Sequence, residues 1–158
     1  MQCYPLRSGT RIRVMDDVLL LEQESSSVSL NQAGDVRVVV PAMEQEDRNP
    51  LSSLIEEEVK ELLHTALRFT VGVLNQIDPV QRLGRVVPMA GLVGAGYMGW
   101  RTREQARRNP NSVQMSMGAG DIAIVALSPP SIPRPVLGAK AAELAEDLTV
   151  LLRREIKA

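Results

Sequence analysis

Short alternations of polar and apolar residues dominate the first quarter of the chain. Arg11-Ile-Arg-Val-Met15 alternates, Asp16-Asp17 marks a turn, and Val18-Leu-Leu-Leu-Glu-Gln23 resumes. Ser25–Ser27 interrupts, Ser27-Val-Ser-Leu30 alternates again, and Asn31-Gln-Ala-Gly34-Asp35 supplies a glycine turn before Val36-Arg-Val-Val-Val40. Period two between turn residues predicts strands, here an antiparallel meander within 10–43. One face of that meander must be covered, because a bare meander is marginal in water.

The period then changes. After an acidic loop from Glu44 to Pro50, Ile55, Val59, Leu62, Leu63, Ala66, Thr70, Val73, Leu74 and Ile77 recur at helical spacing. This predicts a long amphipathic helix within 51–78, ended by Pro79. Ser53 and Glu56 form an S-x-x-E pattern that predicts a capping box, and Glu56, Glu57 and Glu58 suit the positive helix end. Leu67, Phe69 and Val71 widen the stripe, so the second half of this helix should be enclosed on more than one side.

Beyond it, 86–108 begins Gly-rich and apolar, then takes on helical composition from Thr102 to Arg108 before Asn109-Pro110-Asn111. Ser112–Met117 and Ile122–Leu127, joined by Gly118-Ala-Gly120-Asp121, predict a hairpin within 112–127. Ser128–Pro135 holds four prolines and should be extended. Leu137, Ala141, Leu144, Leu148, Leu151 and Leu152 predict a terminal amphipathic helix within 137–157, with Arg153, Arg154 and Lys157 at its negative end. The order of elements implies an α+β fold. The length of 158 residues fits a single domain spanning 1–158.

Composition removes several chemistries. One cysteine, Cys3, and one histidine, His64, exclude a disulfide scaffold and a zinc knuckle. His64 shares the polar face of the long helix with Glu57, Lys60, Glu61 and Arg68, and no motif brings it a nucleophile. Consecutive Glu56-Glu57-Glu58 point in three directions and cannot converge on one ion. No catalytic residue, metal site or cofactor is therefore assigned, and a non-enzymatic role is favoured. The segment from Met1 to Asp17 lacks an apolar run of signal-peptide length. The longest charge-free run, Val86–Trp100, is fifteen residues and carries five Gly or Pro, short of the ~20 a span needs. No membrane association and a cytoplasmic location are expected.

Two further patterns need weighing. Gly94-Ala-Gly96-Tyr-Met-Gly99 matches the dinucleotide pattern G-x-G-x-x-G. The helix after it is too short, however, and only 37 residues follow Asp121, too few to complete a doubly wound sheet. Pro129-Pro-Ser-Ile-Pro133-Arg-Pro135 contains a P-x-x-P pair but joins two ordered elements and reads as a connector.

Charge changes the picture most. The net value is −1, yet residues 1–80 hold seven basic and thirteen acidic side chains, a balance of −6, while 81–158 hold eleven and six, or +5. Arg82, Arg85, Arg101, Arg103 and Arg107 cluster in sequence with Tyr97 and Trp100, two of the chain's four aromatic residues. Arginines interleaved with aromatics suit an anion, a nucleotide or a nucleic acid. The competing reading pairs these arginines with the acidic first half, inside the fold or across a dimer. The expectation is a non-enzymatic regulatory or protein-interaction module, self-associating through strand edges or the terminal helix. The alternative is anion or nucleic-acid binding through 82–108.

Overall fold

The computed structural model describes residues 10–43, 53–94, 99–110 and 122–157. The fold is α+β, and the chain divides into two compact units, Met1–Pro41 and Ala42–Ala158, inside what the sequence suggests is one domain.

In the first unit, β1 (Arg11–Met15), β2 (Val18–Gln23), β3 (Ser26–Asn31) and β4 (Val36–Val39) form an antiparallel meander in chain order. Three turns set the register, the second at Glu24-Ser25 where the sequence suggests Ser25–Ser27. Asp16 and Glu24 take positive φ in the two tight connections, and Gly34 does so at φ 91° in the third. Aspartate tolerates the left-handed region better than most side chains, and glycine enters it freely. The third turn is tied by Asn31, whose side chain accepts from the Asp35 amide at 2.9 Å and donates to the Asp35 carboxylate at 2.7 Å.

The second unit is built on two helices. Its long helix α1 (Glu56–Ile77) packs on α4 (Ala141–Lys157), and α4 also carries a two-stranded antiparallel ribbon of β7 (Met89–Val93) and β9 (Ile122–Ala126). The remaining strands are short. β5 (Ser53–Ile55) runs parallel to β8 (Gly99–Arg101), and β6 (Arg85–Val86) pairs with β10 (Ile132–Pro133). The short helices are α2 (Arg103–Arg108) and α3 (Arg134–Ala139).

The core follows the periodicity. Ala141, Leu144, Ala145, Leu148, Leu152 and Ile156 of α4 are buried, as are Val59, Leu67 and Leu74 of α1. Spacings of three and four put each set on one stripe. Ala90 and Ala123, both buried, are the small side chains that bring the ribbon close to α4.

Several expectations change. The Ser53–Glu56 capping box does not form: Ser53–Ile55 is extended, and Ile55 precedes the helix without a side-chain cap. Backbone pairing with β8 takes those residues instead. A capping box does occur at α2, where Thr102 and Gln105 satisfy one another's backbone N–H groups. The Gly-rich part of 86–108 holds β7 and β8, and its first residue, Val86, ends β6. Phe69, Val71 and Val73 remain half-buried, so the second half of α1 is less enclosed than its composition suggests.

The terminal helix is two helices, interrupted at Lys140, and α3 begins at Arg134-Pro135 because proline suits a first helical turn. β9 pairs with β7; the other expected arm of a hairpin, Ser112–Met117, lies outside the described residues. Gly99 of the glycine pattern opens strand β8 and not a helix, while Gly96 lies outside the described residues. Among the described residues no helix is long and apolar enough to cross a membrane.

Candidate functional site

The arginine-rich segment is divided between the two ends of α1. At the N-terminal end, Trp100 is 2% exposed, and its indole Nε1 donates to Glu56 Oε2 at 2.7 Å. The same carboxylate accepts from Arg153 Nη1 at 3.0 and 3.1 Å. Glu57 accepts the backbone N–H of Arg103 at 2.8 Å, and Glu58 lies 3.7 Å from the Arg103 guanidinium. The three glutamates are thus more than a helix-start charge: Glu56 joins α1, β8 and α4, and Glu57 and Glu58 receive the start of α2.

Arg101 is 6% exposed and donates to the carbonyls of Gln105 and Asn109, closing the C-terminal end of α2. Arg107 and Arg108 both pair with Glu104 on the exposed side of that helix.

At the other end of α1, Asp78 accepts the backbone N–H groups of Arg82 and Leu83 at 3.0 and 2.9 Å. Arg134 inserts beside it. Its Nη1 donates to Asp78 Oδ2 at 2.6 Å, and its Nη2 donates to the carbonyls of Leu74 and Asp78 and to Asn75 Oδ1. The Leu74 carbonyl also accepts the Asp78 N–H and the Asp78 carbonyl the Gln81 N–H, so Arg134 adds a second donor at each. The two amide bonds, and then the Arg134 charge, hold the Asp78 carboxyl below its ordinary value of 3.8. Arg85 lies nearby in sequence but donates to Ser131, through Nε at 2.9 Å and Nη2 at 2.6 Å.

Arg103 therefore touches the first turn of α1, and Arg82 the residue after its last. The 22 residues between span about 33 Å. Trp100 and Arg101 are turned inward, Arg82, Arg85, Arg103 and Arg107 are exposed at separated places, and Tyr97 lies outside the described residues. The structure does not bring the six described residues onto one surface.

A groove of about 730 Å³ lies between α1 and α4, lined by Glu57, Lys60, Glu61, His64, Glu146 and Asp147 among others. Lys60 bridges it to Glu146 at 3.0 Å. Among the described residues, no three His, Cys, Asp or Glu side chains are placed to hold a metal ion.

The strongest surface feature belongs to the meander. Cross-strand register places Ile12, Leu21, Val28 and Val38 in one row and Val14, Leu19, Leu30 and Val36 in the next, on the same face. All eight are aliphatic and none is buried; Ile12 is 60% exposed and Val14 76%. The opposite face is mixed, setting Arg11, Arg13, Glu22, Ser27, Ser29 and Arg37 beside Met15, Val18, Leu20 and Val39. A second apolar surface lies on the ribbon, where Met89, Val93, Ile122 and Ile124 are all exposed around Gly91.

No protein-family model matches the chain, and neither a curated protein nor a solved structure is similar to it. The residue spacing carries a signal for the meander face: each strand places two aliphatic residues two apart, and the tight turns put the four pairs in register.

Proposed function

We propose that this chain is a non-enzymatic protein-interaction module whose binding surface is the aliphatic face of β1–β4. The observation that carries it is the two-row patch of eight aliphatic residues, none of them buried. A contiguous apolar surface rimmed by polar residues favours association with another apolar surface. The ribbon face of Met89, Val93, Ile122 and Ile124 adds a second apolar surface in the other unit.

The experiment places a photoreactive benzophenone amino acid at Val14 of the full chain, and in a parallel sample at Met15. Adjacent strand residues point to opposite faces. Irradiation in lysate and of the purified chain should give an intermolecular adduct from position 14 and little from 15. No intermolecular adduct from position 14 in either setting overturns the reading.

The anion-binding alternative is supported by fewer residues than its sequence pattern suggests, since Trp100 presents no stacking face and the exposed arginines are divided along α1. A fluorescent oligonucleotide titration at about 50 mM salt decides it, because phosphate binding must weaken steeply as salt rises. No salt-dependent binding is expected.

A further inference from the structure

Resting on that reading, we infer that the occupant of the β1–β4 face is the same face of a second copy of this chain, forming a two-sheet sandwich across a two-fold axis. Four strands spaced about 4.8 Å apart make a face roughly 19 Å wide, and five residues at about 3.3 Å each make it roughly 16 Å long. A single helix, about 10–12 Å across, would cover little more than half that width and leave one outer strand in water. A second sheet matches the whole width, since sheets pack face to face about 10 Å apart with strand directions within about 30°.

Charge points the same way. Neither row contains a polar or ionisable side chain. No carboxylate or guanidinium is therefore buried when the face meets itself, and nothing on it selects a charged partner. An isologous interface needs a patch that is its own complement. Area is sufficient: on the order of 500 Å² of accessible surface per copy gives about 1,000 Å² for the pair, the lower bound for a specific interface. Ile12 and Val14, on the edge strand, are the most exposed of the eight and stand to lose the most water. This differs from association through strand edges or the terminal helix: the sheet face makes the contact.

The test uses the full chain. Sedimentation equilibrium over a wide concentration range should give twice the 17.3 kDa chain mass at high concentration, falling towards 17.3 kDa on dilution. Val14→Glu should raise the dimer dissociation constant at least about 100-fold, whereas Met15→Glu on the other face should change it less than about threefold. Since Val14→Glu could also unsettle the sheet, hydrogen exchange of the unmodified chain supplies a second measurement. Amides of β1–β4 should lose protection on dilution, while those of α4 keep it. A chain of 17.3 kDa at every concentration overturns the second copy. So does a dimer indifferent to Val14→Glu, or one whose dilution leaves β1–β4 protection unchanged. The interaction reading survives those results if position 14 still crosslinks to a different polypeptide, and falls with them if it crosslinks to none.

Discussion

Leu144, Leu148, Leu152 and Ile156 line one stripe of α4 and are almost wholly excluded from water. Leu19, Leu21, Val28 and Leu30 line one face of the meander with equal regularity, yet none of them is buried. Both patterns are strong: one at helical period, the other at period two in register. Periodicity determines which side of an element is apolar, but burial requires a second layer to oppose it. In the 42–158 unit α1 and the β7–β9 ribbon supply that layer to α4. A single four-stranded sheet has no inner side of its own.

The contrast is most directly broken by placing a charge on each side of it. Leu148→Asp should prevent the 42–158 unit from folding, because an unpaired carboxylate would sit where Leu148 has 0% exposure. The milder Leu148→Ala should cost roughly 2–5 kcal/mol. Val14→Glu, at an exposed position, should leave the unfolding of the 42–158 unit within about 0.5 kcal/mol of the parent. Urea denaturation followed by helix signal checks all three. If Val14→Glu unfolds the helical unit, the contrast between covered and uncovered aliphatic rows is wrong.

The next effect concerns the lock at the C-terminal end of α1. Arg134→Met should lower Tm by about 10 °C, since it leaves the buried Asp78 carboxylate with its two amide donors but no counter-charge. Acid sharpens this prediction. The folded Asp78 carboxyl is held below 3.8, so its contribution is present above that value and lost as pH falls through the lower folded value. The Tm difference between the parent and Asp78→Asn should therefore be full near neutrality and shrink below pH 3.8. A difference that grows in acid contradicts the assignment.

Glu56 comes third. Glu56→Ala removes the acceptor of both the Trp100 indole and Arg153, and should cost about 2 kcal/mol. Glu56→Gln keeps an acceptor for the indole and should cost about half as much. Equal losses would mean that the charge, and not the indole bond, accounts for the effect.

What was legible follows the range of the interaction that decides it. The β1–β2 turn was readable because Asp16-Asp17 is a local signal, and the end of α1 because Pro79 lies beyond it. The extended state of Ser53–Ile55 is not legible, because its backbone partner, Gly99–Arg101, lies more than forty residues away. The pairing of β9 with β7 likewise leaves no local trace, because the partners lie far apart in the sequence. Trp100 resembled a stacking platform in sequence, but parallel pairing of β8 with β5 carries its indole inward to Glu56. Sequence proximity also conceals the length of the helix that separates Arg82 from Arg103.

The smallest effect tests whether charge or aliphatic packing joins α1 to α4. Lys60 Nζ lies 3.0 Å from Glu146 Oε2 across the groove, with the two side chains 45% and 52% exposed. Water screens such a pair, and ordering two long side chains opposes it. The hydrogen bond to Glu146, and then that carboxylate's charge, raise the lysine above its ordinary 10.5. Its contribution is therefore present below 10.5 and lost as pH rises through the higher folded value. Lys60→Gln should lower Tm by less than about 2 °C at low salt, and by nothing measurable at high salt or in strong alkali. A loss as large as that of Leu148→Ala would mean that the helix pair is held by its groove charges. The buried leucine stripe would then no longer explain why one aliphatic row is core while the other is surface.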